Sequence, residues 1–222
     1  HDLTLSLYMS PLRFFNNQGS RITQQSDWQP DAVLDEVQNG GGAIHIVRVG
    51  NTNKNNIELR NCEFANNTAH GHRGGAVHAV HSYSMVIDSC LFHNNTAIMG
   101  GAVYVSRMSN VDRPGLDIAY SNFTLNTAIA AHQAKDGSII PAFSVNGEPA
   151  TGGAVYVDAC DTSVSCGVRF SNNSAVNGGA IYARSVGSLL TTPTTRDDVD
   201  CNIPVQVRDG TPARILFSNN SA

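Results

Sequence analysis

The chain has 222 residues, a formal net charge of −4 and 14% charged residues. The slight acidity argues against nucleic-acid binding, which requires a basic face, and no apolar run is long enough to span a bilayer. With 41% hydrophobic residues, the chain is too apolar to be disordered. Glycine and asparagine are abundant and are poor helix formers, so the composition predicts a fold rich in strands and turns.

Two short motifs recur and alternate along the chain. The first is Phe-x-x-Asn, usually followed by Thr-Ala or Ser-Ala, and its copies start at Phe64, Phe92, Phe123, Phe170 and Phe217, with a degenerate copy at Phe14. The second is Gly-Gly-Ala-Ile or Gly-Gly-Ala-Val, and its copies start at Gly41, Gly74, Gly100, Gly152 and Gly178. Phe64 and Phe92 are 28 residues apart. Such a period is the signature of a repeat architecture.

Three longer intervals hold insertions, at approximately 18–39, 128–150 and 184–213. The first two fall between the Phe-x-x-Asn and Gly-Gly motifs, and the third falls after Gly-Gly. Each enters at a joint between predicted strands, where a loop can leave without disturbing a stack of repeats. We therefore expect a single domain over residues 1–222. It is expected to be a segment of a longer protein, because the chain starts and stops within a repeat.

Within a repeat the apolar residues alternate with period two, as a strand requires. Ile57 and Leu59 share one face, and after a bend at Asn61 so do Cys62 and Phe64. Each repeat would hold two or three short strands. Like residues at like positions predict an all-β fold, a right-handed parallel β-helix (solenoid) of about five coils, with neighbouring strands about 4.8 Å apart. An antiparallel sandwich or barrel is the alternative, but it does not explain the constant phase of the motifs.

This stacking predicts two structural ladders. One is made of Phe64, Phe92, Phe123, Phe170 and Phe217, and the other of Asn67, Asn95, Asn126, Asn173 and Asn220. Stacked Asn amides can hydrogen-bond to one another along the axis, and Asn tolerates the left-handed conformation of a bend. The Gly-Gly pair is expected to supply positive φ where a Cβ would clash.

The two alternating motifs resemble the repeats of the polymorphic outer membrane proteins of chlamydiae, and similar repeats occur in surface proteins of protists and algae. The resemblance runs from about Phe14 to the last residue, apart from the three insertions. It implies a β-helical surface adhesin, which in that family is displayed by an autotransporter barrel. This sequence contains no barrel segment. The resemblance therefore implies fold and location, and it implies function only by analogy.

The five cysteines fall into two groups. Cys62 and Cys90 stand two residues before a motif Phe and are expected to stack inside as small hydrophobes, with a disulfide across adjacent coils as the secondary possibility. The other three are Cys160, Cys166 and Cys201. We predict a disulfide between two of these three, because an insertion without a core gains stability from a crosslink.

Five Asn-x-Ser/Thr sequons are candidate glycosylation sites: Asn66, Asn94, Asn122, Asn172 and Asn219. Two interpretations stay open. The Asn-Asn-Thr/Ser sequence is ordinary turn chemistry and creates sequons by accident, or the outward Asn carries a glycan in a eukaryotic secreted protein.

Four histidines cluster in the sequence: His70, His72, His78 and His81. His78, however, takes the position after Gly-Gly that His45, Tyr104, Tyr156 and Tyr182 take in other repeats. We interpret it as one step of an outward-facing aromatic ladder. No carboxylate or Cys completes a coordination set, so we predict no metal and no cofactor.

A polysaccharide-cleaving β-helix enzyme is a competing hypothesis, and it requires a carboxylate pair or a calcium-binding Asp cluster on one face of the coils. The carboxylates are instead scattered, and those in two insertions are more simply solvated loop charges: Asp27, Asp31, Asp35, Glu36, Asp197, Asp198 and Asp200. Asp158 and Asp161 lie near a strand end but have no counterpart at the same phase in neighbouring repeats. We therefore predict that the chain is not an enzyme.

The sequence favours an extracellular or cell-surface rod with a structural or adhesive role, which presents loops to a partner. The expected partners are other protein chains or cell-surface glycans, with self-association along or end to end. Trp28, the only Trp, is the candidate partner contact, because aromatic anchors dominate interfaces. It could equally pin its own loop to the rod. A subunit of an extracellular filament or cell wall is the alternative role.

Overall fold

The computed structural model describes residues 5–7, 12–19, 40–47, 56–108, 114–129, 131–133, 139–141, 150–165, 167–184, 189–190 and 216–222. The regular structure in these ranges is all β. In chain order the strands are β1 (Leu5–Leu7), β2 (Arg13–Phe15), β3 (Gln18–Gly19), β4 (Ile44–Val47), β5 (Asn56–Arg60), β6 (Glu63–Ala65), β7 (Thr68–Ala69), β8 (Val77–Val80), β9 (Ser84–Asp88), β10 (Leu91–His93), β11 (Thr96–Ala97), β12 (Val103–Ser106), β13 (Leu116–Ala119), β14 (Asn122–Thr124), β15 (Thr127–Ala128), β16 (Ala131–Gln133), β17 (Ile139–Pro141), β18 (Val155–Asp158), β19 (Thr162–Val164), β20 (Arg169–Ser171), β21 (Ile181–Arg184), β22 (Leu189–Leu190) and β23 (Leu216–Ser218).

Four parallel sheets stack these strands coil by coil. Sheet A is β1-β5-β9-β13-β19-β22, sheet B is β2-β6-β10-β14-β20-β23, sheet C is β3-β7-β11-β15, and sheet D is β4-β8-β12-β18-β21. A coil runs through sheets A, B, C and D in turn and then returns to sheet A one step further along. Only β16 and β17, inside the second predicted insertion, pair antiparallel among the described strands.

This arrangement confirms the parallel β-helix and excludes the antiparallel sandwich and the closed barrel. Pairing is in register, with Phe92 of β10 opposite both Phe64 of β6 and Phe123 of β14. The coils through Asn67, Asn95 and Asn126 have four strands rather than two or three, because the Thr-Ala pair after each of these asparagines forms a short strand of its own in sheet C. The right-handed sense stays a prediction.

The phenylalanines form one continuous stack inside the coils. Neighbouring ring centroids are 4.8 Å apart for Phe64 and Phe92, and 4.7 Å apart for Phe92 and Phe123, with the ring planes nearly parallel. The stack begins at Phe14 and ends at Phe217. This spacing is the distance between hydrogen-bonded strands, so in-register pairing alone brings each ring into contact with the next. Aromatic burial of this extent dominates core energetics.

The motif asparagines form a second, polar ladder beside the phenylalanines. Oδ1 of Asn95 accepts hydrogen bonds from the backbone N (3.0 Å) and Nδ2 (2.9 Å) of Asn67. Nδ2 of Asn95 donates to Oδ1 of Asn126 (2.9 Å) and to the carbonyl oxygen of Phe64 (3.0 Å). These four bonds use the full hydrogen-bonding capacity of a primary amide. Asn126 repeats the pattern with Asn173, so the buried amides are satisfied along the stack.

The Gly-Gly pair is required by contact between coils. A Cβ on Gly75 would lie 2.0 Å from the carbonyl oxygen of Gly101 in the next coil. Gly74 has a φ of +66°, a left-handed conformation that L side chains rarely adopt. The other corners also carry one left-handed residue each, such as Asn61 after sheet A and Asn66 after sheet B. The second glycine of each Gly-Gly pair is therefore needed for the close approach of neighbouring coils.

The ends of the predicted insertions belong to the coils. Gln18–Gly19 is strand β3 and pairs with β7, and Thr127–Ala128 is strand β15. Strand β22, at 189–190, pairs with β19 in sheet A, so a rung of the β-helix lies within the range 184–213.

Candidate binding face

The outer side of sheet B and the bend after each of its strands form the least interrupted surface of the coils. In every coil this bend has two residues: 16–17, 66–67, 94–95, 125–126, 172–173 and 219–220. The three insertions enter elsewhere, between sheets C and D or between sheets D and B. We call this surface, the outward side chains of sheet B plus the first residue of each bend, the open face.

The sequon asparagines lie along one edge of the open face. Asn66, Asn94, Asn172 and Asn219 each occupy the first bend position, with φ between 51° and 57°, and each is exposed. Nδ2 of Asn94 donates a 2.7 Å hydrogen bond to Oδ1 of Asn66 in the preceding coil. The fifth candidate, Asn122, begins strand β14 and is half-buried. All five sequons thus lie on the open face, four of them in a single row.

Exposed apolar side chains were missed by the sequence analysis and also lie on the open face. Phe15 (42% exposed) and Leu91 (45%) point outward from sheet B, and Leu125 (44%) takes the bend position that Asn takes in other coils. The signal was present in the sequence, because residues flanking a core Phe must point outward in a strand. Isolated exposed apolar residues are common, but three that share one face of the coils favour a contact surface.

Charge on the open face is low and partly paired. Nε of Arg13 lies 3.3 Å from Oε2 of Glu63 in a largely exposed ion pair, and such pairs contribute little stability. The hydroxyl oxygens of Thr124 and Ser171, on adjacent coils, are 3.1 Å apart and form a hydrogen bond. The face therefore offers amides, hydroxyls and apolar groups rather than a strong electrostatic field.

An outer aromatic ladder lies on the opposite part of the coil, in sheet D. His45, His78, Tyr104, Tyr156 and Tyr182 stack with ring centroids 4.8 to 5.3 Å apart. They point out of the coil, as predicted from the alternation of the strand, yet His78, Tyr104 and Tyr156 are buried. The segment before Gly-Gly folds beside them: the guanidinium carbon of Arg73 lies 5.5 Å from the Tyr104 ring centroid.

Three described cysteines are buried free thiols: Cys62, Cys90 and Cys160. Burial raises the pKa of the Cys160 thiol to about 12. A hydrogen bond between the thiols of Cys62 and Cys90 lowers the pKa of Cys62 and, with burial, raises that of Cys90. Because Cys160 carries no disulfide and Cys166 and Cys201 lie outside the described residues, a bond between those two stays a prediction.

The histidines do not form a metal site in the described part of the chain, where no group of three His, Cys, Asp or Glu side chains is arranged to hold an ion. His78 belongs to the outer ladder, and Nε2 of His81 faces a guanidinium nitrogen of Arg107 at 3.4 Å. His70 and His72 lie in the bend between sheets C and D.

Three described carboxylates on sheets A and D form ion pairs with arginine. Arg60 bridges Glu58 and Asp88 on the outer side of sheet A. Oδ1 of Asp158 lies 3.6 Å from Nε of Arg184 in sheet D. The other predicted acidic residues (Asp27, Asp31, Asp35, Glu36, Asp197, Asp198 and Asp200) and Trp28 lie outside the described residues.

One protein-family repeat matches part of the chain. The Chlamydia polymorphic membrane protein repeat matches residues 167–184, from the end of the bend before β20 through β21. This stretch is similar to a polymorphic membrane protein repeat. It contains Phe170, Asn173 and the Gly178–Gly179 pair, and in the structure it forms most of one coil. The comparisons with curated proteins and with solved structures gave no match.

The match to the polymorphic membrane protein repeat bears on where the protein is located. Its family consists of surface and outer-membrane proteins of chlamydiae, which agrees with a surface-associated protein. Within the described ranges, no helix has the length and apolarity needed to cross a bilayer.

Proposed function

We propose that this chain is the stem of a surface protein, a rigid extracellular rod with an adhesive role. The single observation that carries the proposal is the continuity of the Phe and Asn ladders through every described coil. Each coil contacts only its neighbours. At each contact one phenylalanine ring stacks on the next, and one asparagine amide hydrogen-bonds to the next. The core repeats the same contacts at every step, which suits a part that holds a binding surface away from a cell.

The open face supports the adhesive part of the proposal. None of the three insertions enters the coils on this face, and Phe15, Leu91 and Leu125 are exposed on it. Amides and hydroxyls between these apolar groups would hydrogen-bond with a protein chain or with the hydroxyls of a cell-surface glycan. The insertion that contains Trp28 would add a second contact, and this remains part of the proposal.

Adhesion can be tested with the purified chain on beads incubated with cells of the host or of the native source. The variant Leu91→Ser combined with Leu125→Asn replaces both apolar groups, and Asn is the residue found at most of these bends. We expect bead attachment to fall at least tenfold. Val176→Ser is the matched control, because Val176 is equally exposed (53%) but lies at the bend after sheet C. Equal attachment by all three proteins, or none by the unmodified chain, would contradict the proposal.

A further inference from the structure

The outer ladder changes chemistry along its length. Its steps from Tyr104 to Tyr182 are tyrosine on tyrosine, whereas the first step is His45 on His78, with ring centroids 4.8 Å apart and an edge-to-face angle of 69°. The two histidines lie in register on β4 and β8. This step joins β4 of the first coil to β8 of the second coil.

His78 is buried without a polar partner. It is 0% exposed, and neither Nδ1 nor Nε2 has a hydrogen-bond partner in the described part of the chain. The backbone of Gly40 leaves no room for water above the ring, because a Cβ on Gly40 would lie 2.4 Å from Cγ of His78. An imidazole in this position can be accommodated only in its neutral form, since an imidazolium would bury two unsatisfied N–H donors and a charge.

The ionisable groups that act on His78 are all basic. His45 faces it from β4, and Arg73 and His72 face it from the segment that precedes β8. On the other side, Tyr104 of β12 stacks on the ring at 5.1 Å and is neutral. Burial, followed by His45, Arg73 and His72, lowers the pKa of His78 well below its usual value. No carboxylate acts on it among the described residues.

We propose that the His45–His78 step is an acid-sensitive joint, at which β4 separates from β8 while the tyrosine-stacked strands of sheet D stay paired. Opening moves β4 off β8 and exposes His78 to water, where it takes up a proton. The closed form binds no proton at His78, so it loses stability as the pH falls below about 6.5, the ordinary value for histidine. Because opening is coupled to the uptake of one proton by His78, the equilibrium constant for opening rises about tenfold from pH 7.5 to pH 5.5.

Hydrogen–deuterium exchange of the 222-residue chain tests the joint, with intrinsic exchange rates divided out at each pH. The backbone N–H of Ile44 donates to the carbonyl oxygen of Ala76 across the joint, and that of Val103 donates to Ala154 across a tyrosine step. We expect protection of residues 42–47 to fall about tenfold between pH 7.5 and pH 5.5, and protection of residues 102–105 to stay constant. Parallel behaviour of the two segments would overturn the proposal.

Variants separate the histidine from a general effect of acid. His78→Tyr continues the tyrosine stack, and His78→Leu offers a smaller apolar replacement if the tyrosine does not fit beneath Gly40. Either variant should make protection of residues 42–47 independent of pH. The control, His93→Gln, removes an exposed histidine from the open face and should behave as the unmodified chain. A pH dependence that persists in the folded His78 variants would exclude the joint.

Discussion

Nδ2 of Asn95 donates a 2.9 Å hydrogen bond to Oδ1 of Asn126, one coil further along, while its own Oδ1 accepts from Asn67 in the coil before. Each amide is therefore both donor and acceptor to an identical group, and the ladder has the same geometry at every step. A polar residue fully buried in a hydrophobic coil is stable here because no donor or acceptor on it is left over.

Replacing Asn95 should be strongly destabilising. Asn95→Leu removes the bonds to Asn67, Asn126 and the carbonyl of Phe64, and it leaves several buried polar groups unpaired. The expected loss in the free energy of unfolding is about 3–5 kcal/mol, from roughly 1–3 kcal/mol for each unsatisfied group. Urea unfolding at neutral pH measures it. Asn94→Gly is the control, because residue 94 is exposed and glycine tolerates its positive φ; a similar loss there would contradict the ladder's role.

Glycine at position 75 should be indispensable. In Gly75→Ala the new methyl group would meet the carbonyl of Gly101 and the backbone of Thr96, neither of which can move without separating two coils. We expect little soluble folded protein, as judged by circular dichroism of the purified fraction. Gly71→Ala is the comparison: its Cβ would meet nothing within 4 Å, so only its φ of +74° is strained, by about 1–2 kcal/mol. Wild-type behaviour of Gly75→Ala would refute the close contact.

The buried thiols should be unreactive in the native state. Cys160 has a pKa of about 12 and is 4% exposed, so almost no accessible thiolate exists at pH 8. Alkylation with iodoacetamide, followed by peptide mapping, should label Cys62, Cys90 and Cys160 only in the presence of urea. Rapid labelling of Cys160 in the absence of denaturant would show that it is not in the buried position described.

Glycan occupancy should be limited by the spacing of the coils. Asn66 and Asn94 lie on adjacent coils, about 4.8 Å apart, and their amides hydrogen-bond to each other. A branched glycan core is wider than one coil step. If the chain is secreted from a eukaryotic cell, we expect glycopeptides of the folded fraction to carry a glycan at one of this pair, not at both. Full occupancy of both asparagines in folded protein would contradict the in-register stack.

The motifs predicted the coil because each has a physical reason to recur. The residues equivalent to Phe64 and Asn67 recur at the same position in each repeat. In-register stacking then determines which side chains contact each other. Thr68–Ala69 was not recognised as a strand, because two residues are too few to show period-two alternation.

The burial of the outer ladder depends on which other segments pack against it. The repeat pattern of a single sequence does not carry this information. Strand alternation directs Tyr104 out of the coil, but it does not reveal that the segment with Arg73 covers the ring. The absence of a partner for His78 likewise follows from the position of Gly40, which comes from a different coil. The exposed Leu125 could have been found, since it alone replaces Asn in an otherwise regular motif.

The in-register stack also sets how far this protein reaches. One coil uses 28 residues between Asn67 and Asn95, or 31 between Asn95 and Asn126, and it lengthens the stem by only about 4.8 Å. The five coil steps from Phe14 to Phe217 thus extend about 24 Å. Residues added to a loop widen the stem at one height without lengthening it, whereas duplication of a whole repeat moves everything beyond it outward by one step. The length and the width of the stem can therefore change independently. The number of coils sets the length, and the size of the insertions sets the width.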